Sequence, residues 1–250
     1  QSLKEMLLTA FFSTLETSNL FTRYHSTRFL SAGVFARHDF HPKQTICENN
    51  VWGTDYGNQT FVNTFQKVIE GKLFSYNPED MKFDNNSLAP IQSTESLKLI
   101  SSDSFSLHSK SSINLSEIHN KQIDYVITDP PYAGNVNYSE LADFFYVWLR
   151  LVLKDKYQQF MPESTPKVEE VIENKARGKS SEDFKEGLKK VFVECNKSSR
   201  DDSLLVFTFH HAEDTAWEAL LEAVCGAGYY IEAVYPINGE AENSLHLMNN

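Results

Sequence analysis

Apolar residues in the first part of the chain recur at the spacing of amphipathic helices. This spacing predicts one helix over residues 3–15 and a second over residues 59–70. Between them lies a polar and aromatic stretch with one short predicted strand, Gln44–Cys47. Residues 75–95 are rich in Asn, Ser, Pro and Asp, a composition that predicts a connection between two halves of the chain.

From about residue 97 the pattern changes, and short apolar segments alternate with helical ones. Residues 204–209 form an uninterrupted apolar run, which predicts a central strand covered on both faces. Strands that alternate with helices predict an α/β fold with a doubly wound, mostly parallel sheet. The predicted strands are 97–100, 105–108, 123–127, 204–209 and 229–235, and the predicted helices are 141–153, 184–195 and 216–224.

These patterns predict two parts. Residues 1–95 form a helical N-terminal segment with a basic and aromatic patch, and residues 96–250 form the α/β core. Within the core, the stretch of about 156–182 carries mixed charge with few aromatic residues, which predicts a mobile insertion. Helix 216–224 is followed by Gly226, which we interpret as its C-cap.

Charge is distributed unevenly along the chain. The 250 residues carry a formal charge of -11, from 23 Lys and Arg against 34 Asp and Glu, which argues against nonspecific coating of nucleic acid. Residues 201–250 contribute nine acidic and no basic residues. By contrast, Arg23, Arg28 and Arg37 form a local basic patch with aromatic residues between them. Such a patch can contact nucleic-acid phosphates even when the protein as a whole is acidic.

Cysteine usage and hydropathy indicate a cytoplasmic protein outside the membrane. The three cysteines, Cys47, Cys195 and Cys225, form no Cys-x-x-Cys pair, so we predict neither a zinc ribbon, another metal site nor a disulfide framework. No apolar run reaches the roughly 20 residues of a membrane span, and no signal peptide is visible.

The residues that indicate chemistry are Asp129-Pro130-Pro131-Tyr132, which follow a predicted strand. Ligands of open α/β sheets bind at the carboxyl ends of the strands. The Asp carboxylate and the proline carbonyls are hydrogen-bond acceptors, and two consecutive prolines keep the chain extended. A rigid group of acceptors beside an aromatic ring suits a flat ring with an exocyclic amino group. A solvent-facing turn is the alternative interpretation.

D-P-P-Y after a strand is the hallmark of S-adenosylmethionine-dependent amino-methyltransferases that act on adenine N6 or cytosine N4. The longer run 125–149 resembles the large adenine-specific DNA methylases, which carry an N-terminal domain of unknown function and sometimes a zinc ribbon. Four further blocks resemble the same family: 35–40, 48–53, 111–116 and 205–211. The resemblance implies a Rossmann-like methyltransferase fold.

The resemblance also implies roles for individual residues. Asp129 and the Pro130 carbonyl would accept hydrogen bonds from the target amino group, for direct in-line methyl transfer, and Tyr132 would stack on the flipped base. Pro131 completes the catalytic motif. The implied substrate-binding residues are Asn135, Tyr138 and His210, and the implied cofactor-binding residues are Ser111, Ser112 and Asn114.

The chain departs from the family where the cofactor should bind. These enzymes need a glycine-rich loop after the first strand, and the only G-x-G here, Gly226-Ala227-Gly228, follows a helix. The acidic residue after the second strand and the last strand are also missing. We therefore expect an incomplete fold, the catalytic half of a longer protein, that binds cofactor poorly alone.

Several alternatives stay open. At least one of His210 and His211 either orders the active-site loop or merely caps the end of the strand. The Glu48-Asn49-Asn50 segment forms either a turn built from Asn side chains or a polar contact with the base or the cofactor. Trp148 and residues 144–146 are expected in a core rather than in a base-stacking surface. The expected function is N6-adenine methylation of DNA. Its rivals are cytosine N4 or RNA amino methylation, the less favoured protein-glutamine methylation, which usually shows Asn at position 129, and a non-catalytic DNA-binding module of a restriction or phage-defence assembly.

Overall fold

The computed structural model describes residues 3–25, 30–35, 50–54, 59–76, 79–84, 87–92, 105–118 and 122–237. The described chain is a mixed α/β structure with five α-helices and a small parallel two-stranded sheet. It divides into two compact units, Gln1–Ser109 with Phe144–Glu163, and Lys110–Asp143 with Ser164–Asn250. The predicted boundary near residue 95 lies outside the described residues and stays a prediction, as do the strands predicted at 44–47 and 97–100.

The first unit contains helices and two antiparallel hairpins. In chain order its elements are α1 (Leu3–Thr14), β1 (Arg23–His25), β2 (Leu30–Ala32), α2 (Phe61–Phe74), β3 (Glu79–Asp84) and β4 (Ser87–Gln92). Strand β1 pairs with β2 and β3 with β4, both antiparallel. The two helices confirm the predictions from apolar spacing. The connection predicted over 75–95 is corrected, because most of it forms the β3–β4 hairpin.

Helix α3 (Tyr138–Leu153) carries an aromatic run that packs in the first unit. The ring of Phe145 lies 5.0 Å from that of Phe12, and Phe144 meets Phe35 edge-on at 5.1 Å. Trp148 contacts Phe11 edge-on at 6.3 Å, although 44% of its surface is exposed. Phe144 and Phe145 therefore pack as expected for core residues, whereas Trp148 is only half-buried.

The second unit is built on a parallel strand pair. Strand β5 (Ile123–Thr128) lies beside β6 (Ser199–Phe207), with Thr128 opposite Phe207. Helix α4 (Ser181–Ser198) begins with a capping box between Ser180 and Asp183, a local signal for a helix start. Helix α5 (Asp214–Gly226) follows β6 and confirms the helix predicted at 216–224.

The core of this unit lies between α4, α5 and one face of the sheet. Residues spaced three or four apart on each helix are buried, because that spacing puts them on one helix face. Leu205 and Phe207 of β6 pack against this cluster. The members with at most 2% of their surface exposed are Phe184, Leu188, Phe192, Leu220, Ala223 and Val224.

Several predictions about strands and turns are wrong. Strand β6 is not covered on both faces in the described structure, because Leu204 and Val206 are 46% and 49% exposed. Residues 105–108 and 229–235 form no strand in the described chain. Helix α5 includes Gly226 as its last residue, its C-cap is Ala227, and the glycine just after the helix that has a positive φ is Gly228, at 93°.

The segment between α3 and α4 has a defined packing arrangement. Ile172 is 1% exposed, and the Lys179 ammonium donates to the backbone carbonyls of Lys167, Val168 and Glu170. Two short 3₁₀ turns lie at Gln158–Phe160 and Lys175–Arg177. The predicted mobility of this insertion stays a prediction, while its residues 164–180 pack within the second unit.

Candidate functional site

The D-P-P-Y motif lies at the carboxyl end of β5, as the sequence predicts. The parallel register aligns the ends of β5 and β6, and the backbone N–H of Thr208 donates to the carbonyl of Thr128 at 3.3 Å. Asp129 and Thr208 are therefore the first residues beyond two neighbouring strands. Adjacent strand ends in a parallel sheet place polar groups at one edge, where ligands of such sheets bind.

The Asp129 carboxylate is held by two hydroxyl groups. Oδ1 accepts a hydrogen bond from Thr208 Oγ1 at 2.6 Å and from Tyr132 Oη at 2.5 Å. These bonds, first that of Thr208 and then that of Tyr132, lower the pKa of Asp129 against a small opposing effect of burial. The group is therefore an anion at neutral pH. No donor from the described part of the chain contacts Oδ2.

Tyr132 contributes a hydroxyl and an aromatic ring. Burial, and then the hydrogen bond to Asp129, raise the pKa of Tyr132, so its hydroxyl stays protonated and donates. The ring is half-buried and meets Phe209 edge-on, with ring centroids 5.4 Å apart. The hydrogen bond to Asp129 and the ring contact with Phe209 therefore fix the position of the Tyr132 side chain.

Phe209 connects the motif to a small aromatic group at the start of α5. Its ring meets Trp217 edge-on at 4.9 Å and stacks near His211 at 6.4 Å. Trp217 Nε1 donates to the carbonyl of His211, and His211 Nδ1 accepts from the Glu213 backbone N–H, both at 3.0 Å. Of the two histidines, His211 is the one that contacts other described residues, through two hydrogen bonds and a ring contact. His210 is exposed, and no bond joins it to another described residue.

The loop after the motif folds back on it. Asn135 is exposed and donates its backbone N–H to the Tyr132 carbonyl at 3.0 Å. Ala133 is 5% exposed and adopts a left-handed φ of 48°. Tyr138 begins α3, and burial raises its pKa against a hydrogen bond with the Tyr132 backbone. Pro130 is buried and Pro131 half-buried. The structure thus brings Asn135 and Tyr138 to the motif.

The predicted cofactor residues lie at the other end of β5. Ser111 and Asn114 accept hydrogen bonds from nearby backbone N–H groups, and Ser112 is exposed. The backbone N–H of the adjacent Leu115 donates to the carboxylate of Glu194 on α4. One helical turn further on, the carbonyl of Ser198 accepts from the backbone N–H of Gln122, the residue before β5. Six strand residues span about 20 Å. The structure does not bring these residues to Asp129, and their role stays a prediction.

Of the predicted phosphate-contacting arginines, only Arg23 is described. It lies in β1, half-buried, and forms no ion pair with a described carboxylate. Arg28, Arg37 and the Glu48-Asn49 pair lie outside the described residues. Their predicted contacts stay predictions.

Comparisons with models of known families, with curated proteins and with solved structures give no match to this chain. The geometry itself consists of an anionic carboxylate, one oxygen of which contacts no described donor, next to an aromatic ring. In the described ranges, no three metal-ligating side chains cluster. None of the helices there combines the length and the apolar character that crossing a membrane requires.

The described residues fit an amino group better than they fit S-adenosylmethionine. Close approach of the backbone to the cofactor needs glycines after a strand. Gly134 is a single glycine just after the D-P-P-Y motif. A Cβ atom at this position would lie 3.4 Å from the carbonyl oxygen of Glu173. Gly226 is the last residue of α5 and Gly228 lies just after it, and the described chain has no glycine pair after a strand. The described residues thus offer hydrogen-bond acceptors at the strand end without a glycine pair beside them.

Thr208 is the site residue that the sequence analysis missed. It lies inside an apolar run, a pattern that predicts a buried strand position rather than a polar contact. The available signal was its position, because it is polar and immediately follows the strand that runs beside the D-P-P-Y strand.

Proposed function

We propose that this chain carries the acceptor-binding part of an S-adenosylmethionine-dependent methyltransferase that modifies the N6 amino group of adenine in DNA. The observation that carries the proposal is the Asp129 carboxylate, fixed at a strand end through Oδ1 with Oδ2 open. In the proposed Rossmann-like, doubly wound fold, β5 and β6 are neighbouring central strands. The proposed location is the cytoplasm.

The chain's own residues hold the acceptor in this scheme. Asp129 Oδ2 accepts one N–H of the amino group and the Pro130 carbonyl accepts the other, which keeps the nitrogen lone pair away from the aromatic ring. Tyr132 stacks on a base that has left the duplex. Catalysis then depends on positioning. S-adenosylmethionine, when bound, supplies an electrophilic methyl group.

A second candidate function is a methyltransferase-like module that binds DNA without catalysis, as a part of a restriction or phage-defence assembly. The observation that favours it is the lack of a glycine pair after any strand of the described chain. Methylation of cytosine N4 or of an RNA amino group would use the same acceptor geometry, because both substrates present an exocyclic NH₂.

Transfer of labelled methyl groups to DNA by the purified full-length protein tests the proposal. The Asp129→Ala variant should lose transfer, because it lacks the acceptor for the amino group. Asp124→Ala is the matched control, since Asp124 lies on the same strand with 61% of its side chain exposed and contacts Arg200 at 3.3 Å. This control should transfer as the unchanged chain does.

The outcomes separate the candidates. Nucleoside analysis of the labelled product distinguishes N6-methyladenine from N4-methylcytosine, and nuclease digestion distinguishes DNA from RNA. Undiminished transfer by Asp129→Ala would refute the proposed site. DNA binding by the full-length protein, without transfer and without S-adenosylmethionine binding in calorimetry, would support the non-catalytic module.

A further inference from the structure

We propose that Thr208 is a positioning residue that determines which oxygen of Asp129 faces the acceptor amino group. This inference rests on the proposed function and adds a residue to the same site. An ionised carboxylate oxygen accepts about two hydrogen bonds through its lone pairs. Oδ1 already accepts two, from Thr208 at 2.6 Å and Tyr132 at 2.5 Å. The capacity left for a substrate is that of Oδ2.

Thr208 is the fixed partner of the two. Tyr132 is only three residues from Asp129 and carries the ring that is proposed to contact the base. Thr208 lies 79 positions away along the chain, and its backbone N–H bonds to Thr128 at 3.3 Å. The next residue, Phe209, packs against the core of the second unit. Thr208 therefore ties the carboxylate to the neighbouring strand rather than to its own loop.

The hydroxyl holds the carboxylate without neutralising it. Within the described part of the chain, no Lys or Arg forms an ion pair with Asp129. The titratable groups that face it are Tyr132 on its own loop and Tyr138 on α3, and burial raises the pKa of both phenols. Asp129 thus keeps its full negative charge, and an anionic acceptor makes stronger hydrogen bonds to an amino group than a neutral one does.

Thr208→Val and Thr208→Ser test this role. Valine keeps the shape and removes the hydroxyl, whereas serine keeps the hydroxyl. Thr128→Val is the matched control, because Thr128 is a half-buried threonine at the end of the neighbouring strand whose side chain makes no hydrogen bond to a described residue. The readouts are the Asp129 carboxyl pKa by carbon NMR, and kcat and KM for methyl transfer to unmethylated plasmid DNA.

Thr208→Val should raise the pKa of Asp129 toward its usual range and shift the acidic limb of the transfer profile to higher pH. It should lower kcat about 10- to 100-fold, the effect of losing one hydrogen bond to a charged group. KM for DNA should change little. Serine should restore both readouts to within about threefold, and Thr128→Val should match the unchanged chain.

Two results distinguish this inference from the proposed function. An unshifted Asp129 pKa with undiminished transfer in Thr208→Val would overturn the role of Thr208 while leaving the function intact. No transfer by the unchanged full-length protein, with a raised Asp129 pKa in Thr208→Val, would overturn the function and support the control of Asp129 by Thr208.

Discussion

Glu170 accepts two hydrogen bonds from Ser139, one from its backbone N–H at 2.8 Å and one from its hydroxyl at 2.7 Å. Ser139 is the second residue of α3 and is 6% exposed. The first backbone N–H groups of a helix lack partners within it, so the Glu170 carboxylate caps α3. Arg177 completes the arrangement with a 2.9 Å ion pair to Glu170. This connection holds residues 164–180 to the start of α3.

Glu170→Ala should lower the free energy of unfolding by about 1–3 kcal/mol, because the backbone N–H of the buried Ser139 loses its acceptor and Arg177 keeps only its 2.6 Å ion pair with Glu140. Urea titration followed by circular dichroism measures the change. The control is Glu169→Ala, at an exposed neighbouring position, which should stay within about 0.5 kcal/mol of the unchanged chain. Equal stability of the two variants would contradict the capping role.

Leu220→Ala should destabilise the second unit by about 2–5 kcal/mol, because it opens a cavity where α5 packs against the core. Leu220 is 0% exposed, whereas the next residue, Leu221, is 43% exposed. Leu221→Ala is therefore the matched control, with a much smaller loss. Chemical unfolding followed by circular dichroism measures both. A larger loss at Leu221 than at Leu220 would show that α5 presents a different face to the core.

Glu194→Ala should expose the backbone of the 110–118 loop to solvent exchange. Glu194 is 8% exposed and accepts the Leu115 N–H at 3.0 Å, a contact between residues 79 positions apart. Hydrogen exchange at the Leu115 amide should accelerate roughly tenfold or more, as expected for loss of about 1.4 kcal/mol of local protection. Glu186→Ala on the same helix is the control. An unchanged hydrogen-exchange rate at the Leu115 amide in Glu194→Ala would contradict the proposed role of Glu194 in holding this loop.

Asp143 predicts an acid-dependent loss of stability. Burial alone would raise its pKa, but hydrogen bonds from Lys167 and Thr165 outweigh burial and leave the pKa lowered. The unfolded value is about 3.9. The stabilisation is therefore fully present above that pH and is lost as the pH falls through the lower folded value.

Unfolding free energies at neutral pH and near pH 3, about one unit below the unfolded pKa of Asp, measure this dependence. Asp143→Asn should reduce the difference between the two conditions, because the side chain can no longer ionise. Asp155→Asn, at an exposed position outside this network, serves as the control. An acid sensitivity that survives Asp143→Asn unchanged would assign it to other carboxylates.

The elements that the sequence predicted correctly are those with strong local signals. Helices α1 to α5 follow from apolar spacing within single segments, and α4 also carries its own capping box. The strand that leads into D-P-P-Y follows from a short apolar run that ends at a proline pair. The hairpin Glu79–Gln92 was missed, because its Asp-, Asn- and Pro-containing sequence favours a connection and its pairing is not visible along the chain.

Strands are harder to predict because an extended segment needs a partner. Residues 105–108 and 229–235 have strand-like sequences, yet no described neighbour pairs with them. The prediction that β6 is covered on both faces was wrong for the same reason, because an apolar run does not specify which element covers it. The side chains of Leu204 and Val206 are exposed.

The sequence by itself determined the helices and the strand before Asp129, because these depend on neighbours within a few residues. Only the tertiary structure decided that Thr208 binds Oδ1 of Asp129 and that Ser111, Ser112 and Asn114 lie at the opposite end of β5. The physical reason is register. Pairing between strands more than 70 residues apart brings these ends together, and that pairing depends on the packing of α4 and α5 against the sheet.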